Sequence, residues 1–234
     1  MTGKESALQP LRGIFVTGTD TGVGKTVVGA MLVRALVTQG VTVRPRKPVE
    51  TGCAVDGDGN LLPADALALW AAAGEQEPLD AVCPFRFSAA FSPRRAAALA
   101  EMYLGVADLE ESCRAGRGAE DFLLVEGAGG LLSPLATDGL NADLVLRLGL
   151  PLLIVVPDRL GSINHALLTL EAARARGLAV AAIVLNRGIA DNGEMDNTRE
   201  LASLSGMAVI EFPHEASPLA MDVAVQLAEL MLLR

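Results

Sequence analysis

A loop reading GTDTGVGKT, from Gly18 to Thr26, constrains this chain more than any other stretch. It follows the short run Gly13 to Val16 and precedes an apolar-periodic segment, so the order is strand, loop, helix. Such a loop turns successive backbone N–H groups toward a triphosphate, and the start of the following helix adds partial positive charge. Glycine is needed where a side chain would hold the backbone away from phosphate oxygens. In that geometry Lys25 reaches the β- and γ-phosphates and the Thr26 hydroxyl ligates Mg²⁺. The spacing departs from the usual G-x-x-x-x-G-K-[ST]: five residues separate Gly18 from Gly24, and Thr19 stands at the first glycine position. A Gly/Thr-rich turn ahead of an ordinary helix is the competing reading. Strand, loop, Lys-Thr and helix in the required order favour a nucleotide site.

Strand and helix signals then alternate along the chain. Strands are expected at 14–17, 41–47, 122–126, 152–156, 180–186 and 208–212. Helices are expected at 26–38, 64–73, 94–104, 107–115, 163–175, 195–205 and 219–232, with 79–93 irregular and Pro84 and Pro93 as breakers. Near-continuous apolar strands separated by helices imply an α/β fold, with a mainly parallel sheet covered on both faces. With 234 residues, 51% of them hydrophobic, and no linker or repeat, one domain over 1–234 is expected, residues 1–12 forming a flexible lead-in.

Open parallel sheets bind ligands outside the carboxyl ends of their strands, and the chemically conspicuous residues fall there. Glu126 closes an apolar strand in Val125-Glu126-Gly127-Ala128-Gly129-Gly130. It is placed either to hold Mg²⁺ opposite Thr26 or to bond the glycine-rich turn after it. The glycines let the backbone pass close to phosphate or substrate. Lys47, fixed between a strand and Pro48, is either a solvated rim lysine or a group that neutralises charge on a transferring phosphoryl group. Asp65 opens the helix Ala64-Asp65-Ala66-Leu67, and read alone it complements the helix dipole. Gly161-Ser162-Ile163-Asn164 begins another helix, whose free N–H groups suit a carboxylate.

Several function classes are excluded. A formal net charge of −9 argues against nucleic acid, since phosphate backbones demand a basic face. No run of 18 apolar residues predicts a membrane span, and the first residues lack the apolar core of a signal peptide, so the expected compartment is cytoplasmic. Cys53, Cys83 and Cys113 are too scattered for a metal or disulfide pattern and read as reduced thiols. The run Asp56 to Asn60 fails as a calcium loop, because Leu61 and Leu67 stand where Gly and Glu are required. His165 and His214 form no local metal pair.

The set GTDTGVGKT, KPVETG, ADALAL, FSP, VEGAGG, LGSINH and LNR, in this order, resembles the dethiobiotin synthetases over nearly the whole chain. That family has the extra loop residue noted above. The resemblance implies ATP- and Mg²⁺-dependent closure of a cyclic urea on 7,8-diaminononanoate with CO₂, through a carbamate and a carbamic–phosphoric anhydride. It implies Lys47 and Lys25 as catalytic residues, and Thr26, Asp65 and Glu126 as Mg²⁺ ligands. It also implies a nucleotide site built from Thr21, Gly22, Val23, Gly24, Lys25, Thr26, Val27, Asp65, Glu126, Gly127, Ala128 and Gly129. Asn186, Arg187, Phe212, Pro213 and His214 would line its base pocket. Thr51 would bind the reacting end of the substrate. Gly161, Ser162, Ile163 and Asn164 would bind the distal carboxylate from the partner subunit of a homodimer.

Two departures stand out: Arg94 follows Ser92-Pro93 where many relatives have His, and Gly22 stands where some carry an acid. Two rival classes stay open. A cobyrinate-type amide ligase should carry a glutaminase module, for which 234 residues leave no room. A P-loop switch ATPase acting through a protein partner usually has an extra Lys early in the loop, where this chain has Thr19-Asp20-Thr21.

Overall fold

Six strands pair in parallel to form the central sheet of a computed structural model that describes residues 11–188 and 196–233. In chain order the first half contains β1 (Gly13–Gly18), α1 (Lys25–Thr38), β2 (Val43–Arg46), β3 (Val49–Thr51), β4 (Ala54–Val55), β5 (Leu61–Leu62) and α2 (Ala64–Ala72). Next come α3 (Leu79–Val82), β6 (Phe85–Phe87), α4 (Pro93–Leu99), α5 (Val106–Arg114), β7 (Phe122–Gly130) and α6 (Asn141–Leu148). The chain continues with β8 (Leu152–Pro157), α7 (Ser162–Ala175), β9 (Val180–Asn186), α8 (Asn197–Ser205), β10 (Val209–Phe212) and α9 (Ala220–Leu232). The main sheet runs β10-β9-β8-β1-β7-β2. Its order puts the loop after β1 at the centre of the carboxyl rim, flanked by the ends of β7 and β8.

Successive residues of the inner strands feed opposite faces, as the pleat requires. Phe15, Leu123, Val125 and Ile154 pack into one core beneath α4 to α7. Ile14, Val16, Leu124 and Val155 pack into the other beneath α1, α2 and α9. Both faces are covered, which is why the strands read as unbroken apolar runs rather than alternating ones.

The structure departs from the expected elements in places with identifiable causes. The expected strand 41–47 is cut short. Pro48 has no N–H to donate, and the Lys47 N–H leaves the sheet for the Val82 carbonyl at 2.9 Å. The chain resumes as β3, which pairs in parallel with β6. The region 79–93, expected to be irregular, therefore holds a short helix and a strand. β4 and β5 form a hairpin around Asp56, whose Oδ1 accepts from the N–H groups of Asp58 and Asn60 at 2.9 and 2.8 Å. A turn motif thus accounts for this acidic run. Helix α6 was not anticipated, although Asp143 accepts from the Leu140 N–H and left-handed Gly149 closes it. β7 continues four residues past Glu126, and α4 stops at Leu99 rather than 104. Residues 1–10 of the expected lead-in, and Met195 at the expected start of α8, lie outside the described residues. Cys53, Cys83 and Cys113 are buried free thiols, and among the described residues no helix is long and apolar enough to cross a membrane.

The edge strand β2 is secured by Arg46, a fully buried arginine. Its guanidinium donates to Glu77 Oε1 at 2.6 Å, to the Pro45 carbonyl at 2.8 Å and to the Ala115 carbonyl at 2.9 Å. Removing one partner of a buried ion pair leaves the other uncompensated, so Arg46→Ala is expected to lower the unfolding free energy by about 3–5 kcal/mol. Urea unfolding reads this as a lower midpoint at unchanged slope.

Candidate active site

Glycine at position 24 lets the loop after β1 turn into α1. Gly24 is the N-cap at φ 92°, a left-handed conformation that a side chain would strain. The turn aims the first N–H groups of α1 into a cavity of 740 Å³ lined by Thr21, Gly22, Gly24, Lys25, Thr26 and Val27 from the loop and α1. Lys25 is only 6% exposed, and its ammonium donates back to the Asp20 carbonyl at 3.0 Å. Burial lowers its pKa and nearby Lys47 lowers it further, against the opposing pull of Glu126, Asp65 and Asp20.

Opposite the loop, Lys47 is 3% exposed, so it is no solvated rim lysine. Its Nζ lies 2.6 Å from Glu126 Oε1 and 2.8 Å from Asp65 Oδ2, with the Gly127 carbonyl at 3.4 Å. Burial alone would depress its pKa, but the two carboxylates outweigh that and hold it above the ordinary lysine value. Asp65, for its part, is pushed up by burial but pulled further down by Lys47, and it ends below the usual carboxylate value.

Glu126 is fully buried and accepts from Thr26 Oγ1 at 3.0 Å on the same oxygen that meets Lys47. Its other oxygen, Oε2, has no hydrogen-bond partner among the described residues. A buried carboxylate oxygen without a donor is costly unless something cationic reaches it. Thr26, Lys47, Asp65 and Glu126 thus meet at one point, although Thr26 and Glu126 are 100 residues apart in the chain.

The structure brings together Thr21, Gly22, Gly24, Lys25, Thr26, Val27, Lys47, Thr51, Asp65, Glu126, Ala128 and Gly129 around this cavity. Other expected residues stand apart from its lining. Val23 is buried, and its carbonyl accepts from Asn186 Nδ2 at 3.0 Å. Gly127 meets internal packing instead: a Cβ there would fall 2.5 Å from Asn141 Oδ1 and 2.9 Å from the Phe15 ring. Asn186 also accepts from the Gly188 N–H, and Arg187 pairs with Asp158 at 3.2 Å and Glu211 at 3.0 Å. The Arg187 N–H bonds the Phe212 carbonyl, joining this segment to Phe212, Pro213 and His214. Gly161, Ile163 and Asn164 line a second cavity of 540 Å³ between α7 and α8, and no residue lines both cavities. Ser162 is buried beside them, and its hydroxyl donates to the Pro157 carbonyl.

Sequence reading assigned no role to three contributors. Glu50 lines the main cavity and accepts from the N–H groups of Asp65 and Ala66. Asn141 fastens the glycine segment through Ala128 N–H, Ala128 carbonyl and Gly130 carbonyl at 3.1, 2.8 and 3.0 Å. The segment 90–93 closes another wall. Pro63 offers α2 no side-chain cap, which calls for an acceptor from elsewhere without indicating that Glu50 supplies it.

A sequence-family profile described as "AAA domain" matches residues 12–217. The ATP-dependent dethiobiotin synthetase BioD of Anaeromyxobacter dehalogenans strain 2CP-1 is 46% identical over 197 residues, covering 83% of this chain and 86% of that protein. The ATP-dependent dethiobiotin synthetase BioD of Ruthia magnifica is 39% identical over 177 residues, covering 76% and 80%. Among solved structures, the cell division ATPase MinD of Pyrococcus furiosus shares the fold with a TM-score of 0.54 at 17% identity, covering 94% of this chain and 98% of that one.

Proposed function

The chain belongs to the ATP-dependent dethiobiotin synthetase family, and on that premise we propose how its residues divide the work of closing the cyclic urea of dethiobiotin. The enzyme is an ATP-dependent cyclo-ligase of biotin biosynthesis. Its substrates in this reading are 7,8-diaminononanoate, CO₂ and ATP. One amine, losing a proton, captures CO₂ as a carbamate. A carbamate oxygen attacks the γ-phosphorus and ADP leaves. The second amine then attacks the anhydride carbon, losing a proton, and phosphate departs.

No covalent enzyme nucleophile is needed, so the protein's task is positioning and charge neutralisation. The observation that carries the reading is Lys47, buried between Glu126 and Asp65 in the same cavity as Lys25 and Thr26. Lys25 and Lys47 flank the meeting point of carbamate and γ-phosphate, where negative charge gathers in the transition state. The loop N–H groups and Thr21 to Val27 cradle the phosphates, with Ala128 and Gly129 on the far wall. Thr51, directly after Glu50 on the same cavity wall, orients the reacting end of the diamine.

Thr26, Asp65 and Glu126 would hold Mg²⁺, which when bound neutralises the phosphate oxygens. The partnerless Glu126 Oε2 and the all-oxygen donor set fit a hard divalent cation. The described residues contain no group of three or more His, Cys, Asp or Glu side chains arranged to hold a metal ion by themselves. A hydroxyl, two carboxylates and phosphate oxygens require none.

Asn186, Arg187, Phe212, Pro213 and His214 would face the base. The Asn186 bond to the Val23 carbonyl ties that region to the phosphate loop. Gly161 to Asn164, opening α7 on a separate cavity, would receive the distal carboxylate of a substrate held mainly by the partner subunit of a homodimer. An ATP-consuming biosynthetic step fits the cytoplasm. The chain is proposed to act as one domain.

The test is phosphate release by purified protein with ATP, Mg²⁺ and bicarbonate, with and without the diamine. Diamine-dependent release with dethiobiotin seen by mass spectrometry is expected. Release indifferent to the diamine would replace this reading with a switch ATPase.

A further inference from the structure

Helix α2 has no local cap. Its N-cap residue is Pro63, which has no side-chain acceptor, so the first N–H groups of the helix need a partner from elsewhere. Glu50 supplies it from β3. One carboxylate oxygen accepts from the Asp65 N–H at 3.0 Å and the other from the Ala66 N–H at 2.9 Å. Local Ser, Thr, Asp or Asn residues usually fill this role. Here it falls to a carboxylate 6% exposed, on the wall of the reaction cavity.

The segment from Lys47 to Glu50 grips Asp65 twice. Lys47 holds its side-chain oxygen at 2.8 Å, and Glu50 holds its backbone nitrogen. Fixing both ends leaves the Asp65 carboxylate little freedom to turn away from Lys47 and Glu126. A free first turn of α2 would let that carboxylate move with the fraying helix end.

We propose that Glu50 is a positioning residue for the ring-closure reaction: by capping α2 it sets the Asp65 carboxylate where the metal–nucleotide complex needs it. The inference rests on the reading of Asp65 as a Mg²⁺ ligand given above. Outer-shell groups that orient metal ligands typically contribute about 10–100-fold to metal affinity.

The experiment uses the full chain and two readouts: Mn²⁺ binding in the presence of ADP, followed by electron paramagnetic resonance, and diamine-dependent phosphate release against Mg²⁺ concentration. Glu50→Ala is expected to weaken Mn²⁺ binding about 10–100-fold. The Mg²⁺ concentration for half-maximal rate should rise in parallel, with kcat at saturating Mg²⁺ within about threefold of wild type. Glu50→Gln, which keeps one acceptor oxygen, should fall between, and it guards against poor folding of the alanine variant. Adding Pro63→Ser, which restores a local acceptor for the same N–H groups, should recover the metal affinity.

A lowered melting temperature with unchanged Mn²⁺ affinity would reduce Glu50 to a structural cap and overturn the proposal. A collapse of kcat that Pro63→Ser does not rescue would also overturn it, by making Glu50 a group that touches the reactants. If wild-type protein with ADP binds no Mn²⁺, the metal reading itself fails, and the proposal with it.

Discussion

Replacing Lys47 with alanine is expected to lower diamine-dependent turnover at least about a hundredfold while ATP affinity stays near the wild-type value. That factor is the scale of losing one donor aimed at developing transition-state charge. The geometry explains the split between the two readouts. In the proposed reading the loop and α1 hold the phosphates, whereas Lys47 stands across the cavity just after β2. Its ammonium is already fixed by Glu126 at 2.6 Å and Asp65 at 2.8 Å, so it needs little reorganisation when charge appears. Single-turnover phosphate release and calorimetric ATP binding measure the two quantities separately. Turnover within a few-fold of wild type would remove Lys47 from the reaction.

Glu126→Ala should have the second large effect, acting on stability and activity together. Lys47 would lose its nearer anion in a fully buried setting, and Thr26 would lose its acceptor. Breaking such a pair from one side costs about 3–5 kcal/mol. The loss should persist across neutral pH. Lys47 has a raised folded pKa, so its ion-pair contribution is complete below its unfolded value of 10.5 and disappears only as pH rises through the folded value. Asp65 behaves in the opposite sense. Its folded pKa lies below 3.8, so its contribution is present above that value and is lost on acidification. Urea midpoints at pH 5, 7 and 9 should therefore show a similar deficit for Glu126→Ala, and diamine-dependent activity should fall about a hundredfold or more. A deficit confined to alkaline pH would contradict the pairing described here.

Much of the site was legible before any coordinates. Gly24, Lys25 and Thr26 were readable because a phosphate loop is a local object, defined by glycine conformations and the next helix turn. Lys47 and Glu126 were readable as strand-end residues because apolar runs mark strands, and parallel sheets put strand ends on one rim. Glu50 was not legible. Its partners lie 15 and 16 residues away, and the hairpin of β4 and β5 between them carries no signal for that contact. The pairing of β3 with β6 was hidden for a related reason: three-residue strands have too little periodicity to announce themselves, and each is stabilised by the other. Helix α6 carried readable signals in Asp143 and Gly149 and was still overlooked.

The sequence by itself determined the alternation of strands and helices, the phosphate loop, and a set of charged residues confined to strand ends. These follow from side-chain periodicity and from backbone conformations that only certain residues tolerate, both of which act over a few residues. Only the tertiary structure decided that β2, β7 and β1 lie side by side, which brings Lys47, Glu126 and Thr26 within hydrogen-bond distance. It also decided that Lys47 is buried with two carboxylates rather than solvated. Strand order and burial are settled by packing two apolar faces across the whole chain, and the charge state of each buried group follows from the neighbours that packing supplies.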